Sequence, residues 1–166
     1  MQFLGRVQQP ELGRVWKILA EGKVKFFLWL LLQNRNWTAE RRRARGLPHD
    51  DLYSLYDQEF ETATHLALGC SFAKEVWACF QGTYPLAVQI ANTASTVWEW
   101  WGKISRGKED DQKKKRVTAS AYVVWHVWKE RGRRIFQDEV MTATAVASLI
   151  RADLELLFLA NDRPRG

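Results

Sequence analysis

Val117, Ala121, Val124, Trp125 and Trp128 return at spacings of three and four. That is the period of one helix face and not the alternation of a strand. Glu130 stands four residues before Arg134 and supports the same helix as an i,i+4 pair. A second stripe, Val146, Leu149, Ile150, Leu154 and Leu157, predicts a last helix from about Thr142 to Leu159, with NDRPRG frayed beyond it. Upstream, Thr93 to Ile104 reads as a helix carrying Val97 beside Trp98, Trp100 and Trp101, and GKEDDQKKK from Gly107 reads as a solvated charged connector.

The first half is also helical in pattern. Arg14 to Leu19 predicts a short helix burying Val15, Trp16, Ile18 and Leu19, ended by Gly22. In Lys23 to Gln33 the stripe Val24, Phe27, Leu28 and Leu31 is joined by Phe26, Trp29 and Leu30, so this helix is expected to be buried on most sides. Thr38 can cap a short helix, Ala39 to Arg45, that Gly46 and Pro48 stop. Leu47 to Glu61 reads as loop and turn through Pro48, Asp50, Asp51, Ser54 and Asp57. A helix over about Thr62 to Leu68 breaks at Gly69, and Ser71 is expected to cap another that buries Phe72, Val76, Trp77 and Phe80. Gly82 and Pro85 close this half, and the stretch after them has no clear period. The fold class expected is all-α, divided into residues 1–82 and a helical unit over 83–166.

A length of 166 residues suits one domain, or two small units sharing a core. Lys plus Arg outnumber Asp plus Glu by 25 to 19, a net charge of +6 that favours a polyanionic partner without naming one. Two cysteines, Cys70 and Cys79, make neither a disulfide framework nor a four-thiolate metal site. They suit a reducing compartment. The longest apolar run, Phe26 to Leu32, has seven residues, against the roughly 20 that span a bilayer as a helix. Cytoplasm or nucleus is therefore expected, the arginines and scarce acids near the start making only a weak case for the mitochondrion.

The run KVKFFLWLLLQNRNWTAERRRARG, followed by His65 and Cys70 with four residues between them, resembles the zinc-binding domain that follows the reverse transcriptase in plant LINE-type retrotransposons. There a K-x-K-x-F-x-W-x-x-x-x-x-R-x-x-T-x-x-x-x-x-x-R-G motif precedes C-x-x-C and then H-x-x-x-x-C. WHVWKERGRRIF, Trp125 to Phe136, resembles a second motif of the same proteins, W-x-I-W-K-x-R-N-x-x-x-F, with Gly132 in place of Asn. The resemblance makes residues 1–82 a reverse-transcriptase zinc-binding-like module with a degenerate knuckle-like loop, and implies a Cys3His zinc site. Here Tyr53 and Tyr56 stand at the two C-x-x-C positions, leaving His65 and Cys70 as remnant ligand positions. A phenol, with a pKa of about 10 against about 8.5 for a thiol, is a poor zinc ligand at neutral pH. No cofactor is expected. His49, Asp50, Asp51, Asp57 and Cys79 lack the spacing to restore the set. The tyrosine rings are expected to pack on the Phe26 to Leu32 helix instead.

The candidates for holding phosphate are Arg41, Arg42, Arg43 and Arg45, then Lys113, Lys114 and Lys115, then Arg131, Arg133 and Arg134, with Trp37 or Trp98 available to stack on unpaired bases. The same residues also read as solvated helix faces and core tryptophans, because neighbours in sequence need not share a patch in space. The chain lacks the G-x-S-x-G, phosphate-loop and H-E-x-x-H motifs, and His126 reads as a core or rim histidine, so no enzyme is expected. Two functions stay open beside a catalytic one that has no motif behind it. One is a non-catalytic, retrotransposon-derived protein binding RNA or DNA. The other is a captured host protein working through protein contacts, in defence, cell death or reproductive conflict. No membrane partner is expected.

Overall fold

The structure, a computed structural model, describes residues 9–33, 63–137 and 140–162. The Ala39 to Arg45 helix, the loop from Leu47 to Glu61 and the packing of Tyr53 and Tyr56 lie outside these residues. Every regular element among the described residues is helical, as the period of the sequence predicts.

In order, the chain forms α1 (Gln9–Gly13), a 3-10 turn (Arg14–Lys17), α2 (Gly22–Leu32), a π turn (His65–Gly69), α3 (Ser71–Ala78), α4 (Pro85–Thr93), α5 (Val97–Ser105), α6 (Asp111–Phe136) and α7 (Ala143–Asn161). The axis is α6. Helices α2, α3, α4, α5 and α7 and the π turn all pack against it. Residues Val117 to Val124 are buried without a break, and the small side chains among them, Thr118, Ala119, Ser120 and Ala121, leave room for neighbours on several sides at once. Their hydroxyls are satisfied locally: Thr118 donates to the Leu19 carbonyl at 2.7 Å and Ser120 to that of Arg116 at 2.9 Å. The core runs continuously from Leu12 to Leu154 and takes in Trp77, Trp100, Trp101 and Tyr122 as its largest fully buried rings.

The α6 helix begins four residues into the expected connector. The Asp110 carboxylate accepts the Lys113 backbone N–H at 2.8 Å, a side-chain cap that turns DQKKK from a linker into a first helical turn. Elsewhere caps match residues that favour them. Thr142 accepts from the Ala145 N–H at 3.1 Å to start α7, and Thr96 from that of Glu99 at 3.0 Å to start α5. For α3 the cap is Cys70 and not Ser71: its Sγ accepts the Ala73 N–H at 3.3 Å. The residues expected under α3, Phe72, Val76, Trp77 and Phe80, are all buried, and Trp77 Nε1 donates to the Ala67 carbonyl at 3.0 Å.

Gly22 opens α2 instead of closing the preceding segment. The Glu21 N–H donates to the Tyr122 hydroxyl, which donates in turn to Glu21 Oε1, both at 3.2 Å. This pair fastens the start of α2 to the middle of α6. Only one face of α2 is buried, through Val24, Phe27, Leu28, Leu31 and Leu32. Phe26 is 54% exposed and Trp29 and Leu30 are half-buried, so the helix is not enclosed on most sides. Trp16 is exposed too, and of the residues expected to be buried beside it only Val15 is fully so. Leu149 of α7 likewise faces solvent. The segment without a clear period is α4, which starts with proline in its first turn. It buries Ala87, Val88 and Ala91, side chains too small to mark a strong apolar stripe.

Candidate nucleic-acid interface

Two basic runs of the sequence fall at opposite ends of α6, Lys113 to Lys115 in the first turn and Arg131 to Arg134 near the last. At 1.5 Å per residue they lie about 27 Å apart. The structure does not bring them together.

The arginine end turns inward. Glu130 has no exposed surface, and a buried carboxylate requires partners that replace its water. It finds them in Arg133 Nε at 2.9 Å, Arg134 Nε at 2.5 Å and the Met141 N–H at 2.8 Å. Arg134 also donates to the Met141 carbonyl at 2.8 Å and lies 4.4 Å over the Phe72 ring. Arg131 is buried. Here the guanidinium groups join α6 to the entry of α7.

The lysine end opens outward. Successive residues leave a helix about 100° apart, so the three lysines part company. Lys115 leans to α7, 3.6 Å from Asp111 Oδ2 and 5.4 Å over the Phe158 ring. Lys113 and Lys114 line a recess of about 230 Å3 between α6, the α5–α6 loop and the 3-10 turn, together with Arg14, Lys17, Arg106 and Glu109. Five cationic side chains thus meet one carboxylate. Lys113 Nζ, mostly buried, contacts Glu109 Oε1 and the Gly107 carbonyl, each at 3.0 Å. Gly107 has φ of +103°, a conformation that favours glycine and aims that carbonyl at the lysine. Arg14 Nη1 donates to Ser105 Oγ at 3.1 Å. Arg106 Nε donates to the Gly102 carbonyl at 2.9 Å, with its Nη2 3.7 Å from Glu11 Oε1. Gly102 leaves room for that approach, since a Cβ there would stand 2.8 Å from Arg106 Nη2. Lys17 and Lys114 are exposed. A concave surface with this imbalance of charge concentrates anions.

Of the expected phosphate-binding residues, Lys113 and Lys114 belong to the recess, while Arg41, Arg42, Arg43, Arg45 and Trp37 lie outside the described residues. Trp98 is half-buried. Arg14, Lys17 and Arg106 were not among the candidates, and nothing in their local sequence distinguishes them: they join Lys113 only by folding.

His65 opens the π turn and Cys70 follows it, and the Cys70 N–H donates to the His65 carbonyl at 2.8 Å. His65 is half-buried and lines a second, wider recess of about 450 Å3, together with Lys74. Residues 2–77 match the family described as zinc-binding in reverse transcriptase. Over these residues the chain is similar to that family. No curated protein and no solved structure matches the chain. The family match takes in α1, α2 and nearly all of α3 and stops before α4, although α2 within it is packed against α6 beyond it.

The zinc that the family implies needs four donors. His65 and Cys70 are two, and no cluster of three or more His, Cys, Asp or Glu able to hold a metal occurs among the described residues. Cys79 does not supply a third to this pair: nine residues along α3 from Cys70, it is about 13 Å away, against a zinc–sulfur bond of about 2.3 Å. Its thiol donates instead to the Glu75 carbonyl at 3.4 Å. Tyr53, Tyr56, His49, Asp50, Asp51 and Asp57 lie outside the described residues. The described donors do not make a zinc site.

His126 has a partner that the sequence did not indicate. Its Nε2 lies 2.7 Å from Asp153 Oδ2 on α7, and since a carboxylate only accepts, Nε2 carries the proton. Burial holds its pKa below the ordinary 6.5, outweighing the Asp153 charge, with Lys129 and Arg133 adding to the depression.

Proposed function

We propose that the chain is a non-catalytic, retrotransposon-derived protein that binds nucleic acid through the phosphate backbone at the Lys113 recess. The observation that carries this reading is the convergence of Arg14, Lys17, Arg106, Lys113 and Lys114 on one concave surface. Phosphate contacts supply most of the affinity of a binder without sequence preference, and each releases counterions. The test is fluorescence anisotropy of the full chain with short RNA and DNA at several salt concentrations, beside a Lys17→Glu, Lys114→Glu variant. Binding that falls steeply with salt and is lost in the variant supports the reading. No binding at low salt, or binding that ignores the variant, rejects it.

A second reading, a host protein acting through protein contacts, is favoured by the outer face of α7. Leu149, Ala152, Leu156 and Leu159 are exposed there at helical spacing, the arrangement by which a helix lies in a partner's groove. Retained nucleic-acid binding in a Leu156→Glu, Leu159→Glu variant, with loss of a partner captured by the wild type, separates the two.

A further inference from the structure

The 3-10 turn that supplies Arg14 and Lys17 to the recess also carries Trp16. In a 3-10 turn residues three apart eclipse, so Arg14 and Lys17 share the face that lines the recess. Trp16 leaves about a third of a turn away. It is 46% exposed, with its ring 6.2 Å from that of Trp29, and Trp29 in turn stacks on Phe26 at 6.2 Å and 17° between planes. Three aromatic rings thus form a ledge on the outer side of α2, and the two at its ends are about half exposed. The ledge is held to the turn by Lys25, whose Nζ donates to the Trp16 carbonyl at 3.2 Å. The buried face of α2 is supplied by other residues, Val24, Phe27, Leu28 and Leu31, so core packing does not account for Trp16 and Phe26.

We infer that the partner of this chain is single-stranded nucleic acid, with a backbone phosphate in the Lys113 recess and neighbouring bases stacked on the Trp16–Trp29–Phe26 ledge. The inference rests on the nucleic-acid reading above and sharpens it. Charge complementarity argues for this occupant over an apolar protein segment, because Trp16 sits on the same 3-10 turn as Arg14 and Lys17, two of the five cations that line the recess. Aromatic rings beside a cationic groove bind any unpaired base through its π-face. In a duplex those faces are covered by neighbouring base pairs, and the ledge has nothing to stack on.

The experiment measures affinity of the full chain for a labelled oligouridylate and for a mixed-sequence duplex of equal length, at one salt concentration. The variants are Trp16→Ala with Phe26→Ala, the conservative Trp16→Phe, and Lys17→Glu with Lys114→Glu. Circular dichroism and melting temperature establish that each is folded. The expected result is tighter binding of the single strand, lowered about tenfold in the alanine variant and largely restored in Trp16→Phe, with duplex binding unchanged by either. The lysine variant weakens both. Equal affinity for strand and duplex, or an equal loss on both in the alanine variant, overturns the ledge while leaving the recess in place. Absence of wild-type binding to either probe overturns both.

Discussion

The two ends of α6 carry similar basic runs and put them to opposite uses. At its C-terminal end Arg133 and Arg134 are consumed by Glu130, whose carboxylate is buried. At its N-terminal end the nearest acid, Glu109, is largely in solvent and engages Lys113, leaving Lys114 exposed beside Lys17. A cation next to a buried anion is part of the structure, because separating the pair strands a charge in low dielectric. A cation next to a solvated anion gives up little when it turns to another partner. The position of one glutamate relative to the core decides whether a run of arginine or lysine is locked into the structure or left facing solvent.

The largest test of that contrast is Glu130→Ala, which leaves Arg133, Arg134 and the Met141 N–H without their acceptor and is expected to cost about 3–5 kcal/mol in urea denaturation. A loss below about 1 kcal/mol would show that the arginine end is not structural. At the other end, Lys114→Glu is expected to change stability by less than about 0.5 kcal/mol while weakening nucleic-acid binding and lowering its salt dependence by about one counterion. Arg133→Gln with Arg134→Gln should do the reverse, lowering the melting temperature without changing the salt slope of the folded protein.

Smaller effects sharpen the boundary between packing and site. Cys70→Ala removes the α3 cap and is expected to cost about 1 kcal/mol, whereas Cys70→Ser keeps an acceptor and recovers most of it. A chelator is expected to leave the wild-type melting temperature unchanged; a clear drop would mean that donors beyond the described residues complete a metal set. The smallest effect concerns pH. The folded pKa of His126 is depressed, so its contribution to stability is present above its ordinary 6.5 and is lost as pH falls through the lower folded value. Wild type should therefore lose more of its melting temperature between neutral and mildly acidic pH than His126→Gln, and equal losses would place the acid sensitivity elsewhere.

Much of the fold was legible because helix period and caps are local. The stripe from Val117 to Trp128 and the Thr142 start of α7 follow from spacing and from side chains that bond the first free N–H groups. The errors have local causes as well. The charge density of GKEDDQKKK hides the role of Asp110 as a cap, and Gly22 opens a helix where a glycine can equally end one. Trp16, Phe26 and Leu149 were assigned to the interior by hydrophobicity alone, which does not say whether a neighbour exists to cover them.

The amino-acid sequence by itself determined that this chain is built of helices, where several of them begin, and that residues 2–77 are similar to the family described as zinc-binding in reverse transcriptase. Those properties depend on residue type and on spacing along the chain. Only the tertiary structure decided which charges act together. Arg14 and Lys17 reach Arg106, Lys113 and Lys114 across some ninety residues of sequence, and Glu130 claims its arginines because packing removed it from water. Proximity and burial belong to the assembled core, and electrostatic energy depends on both.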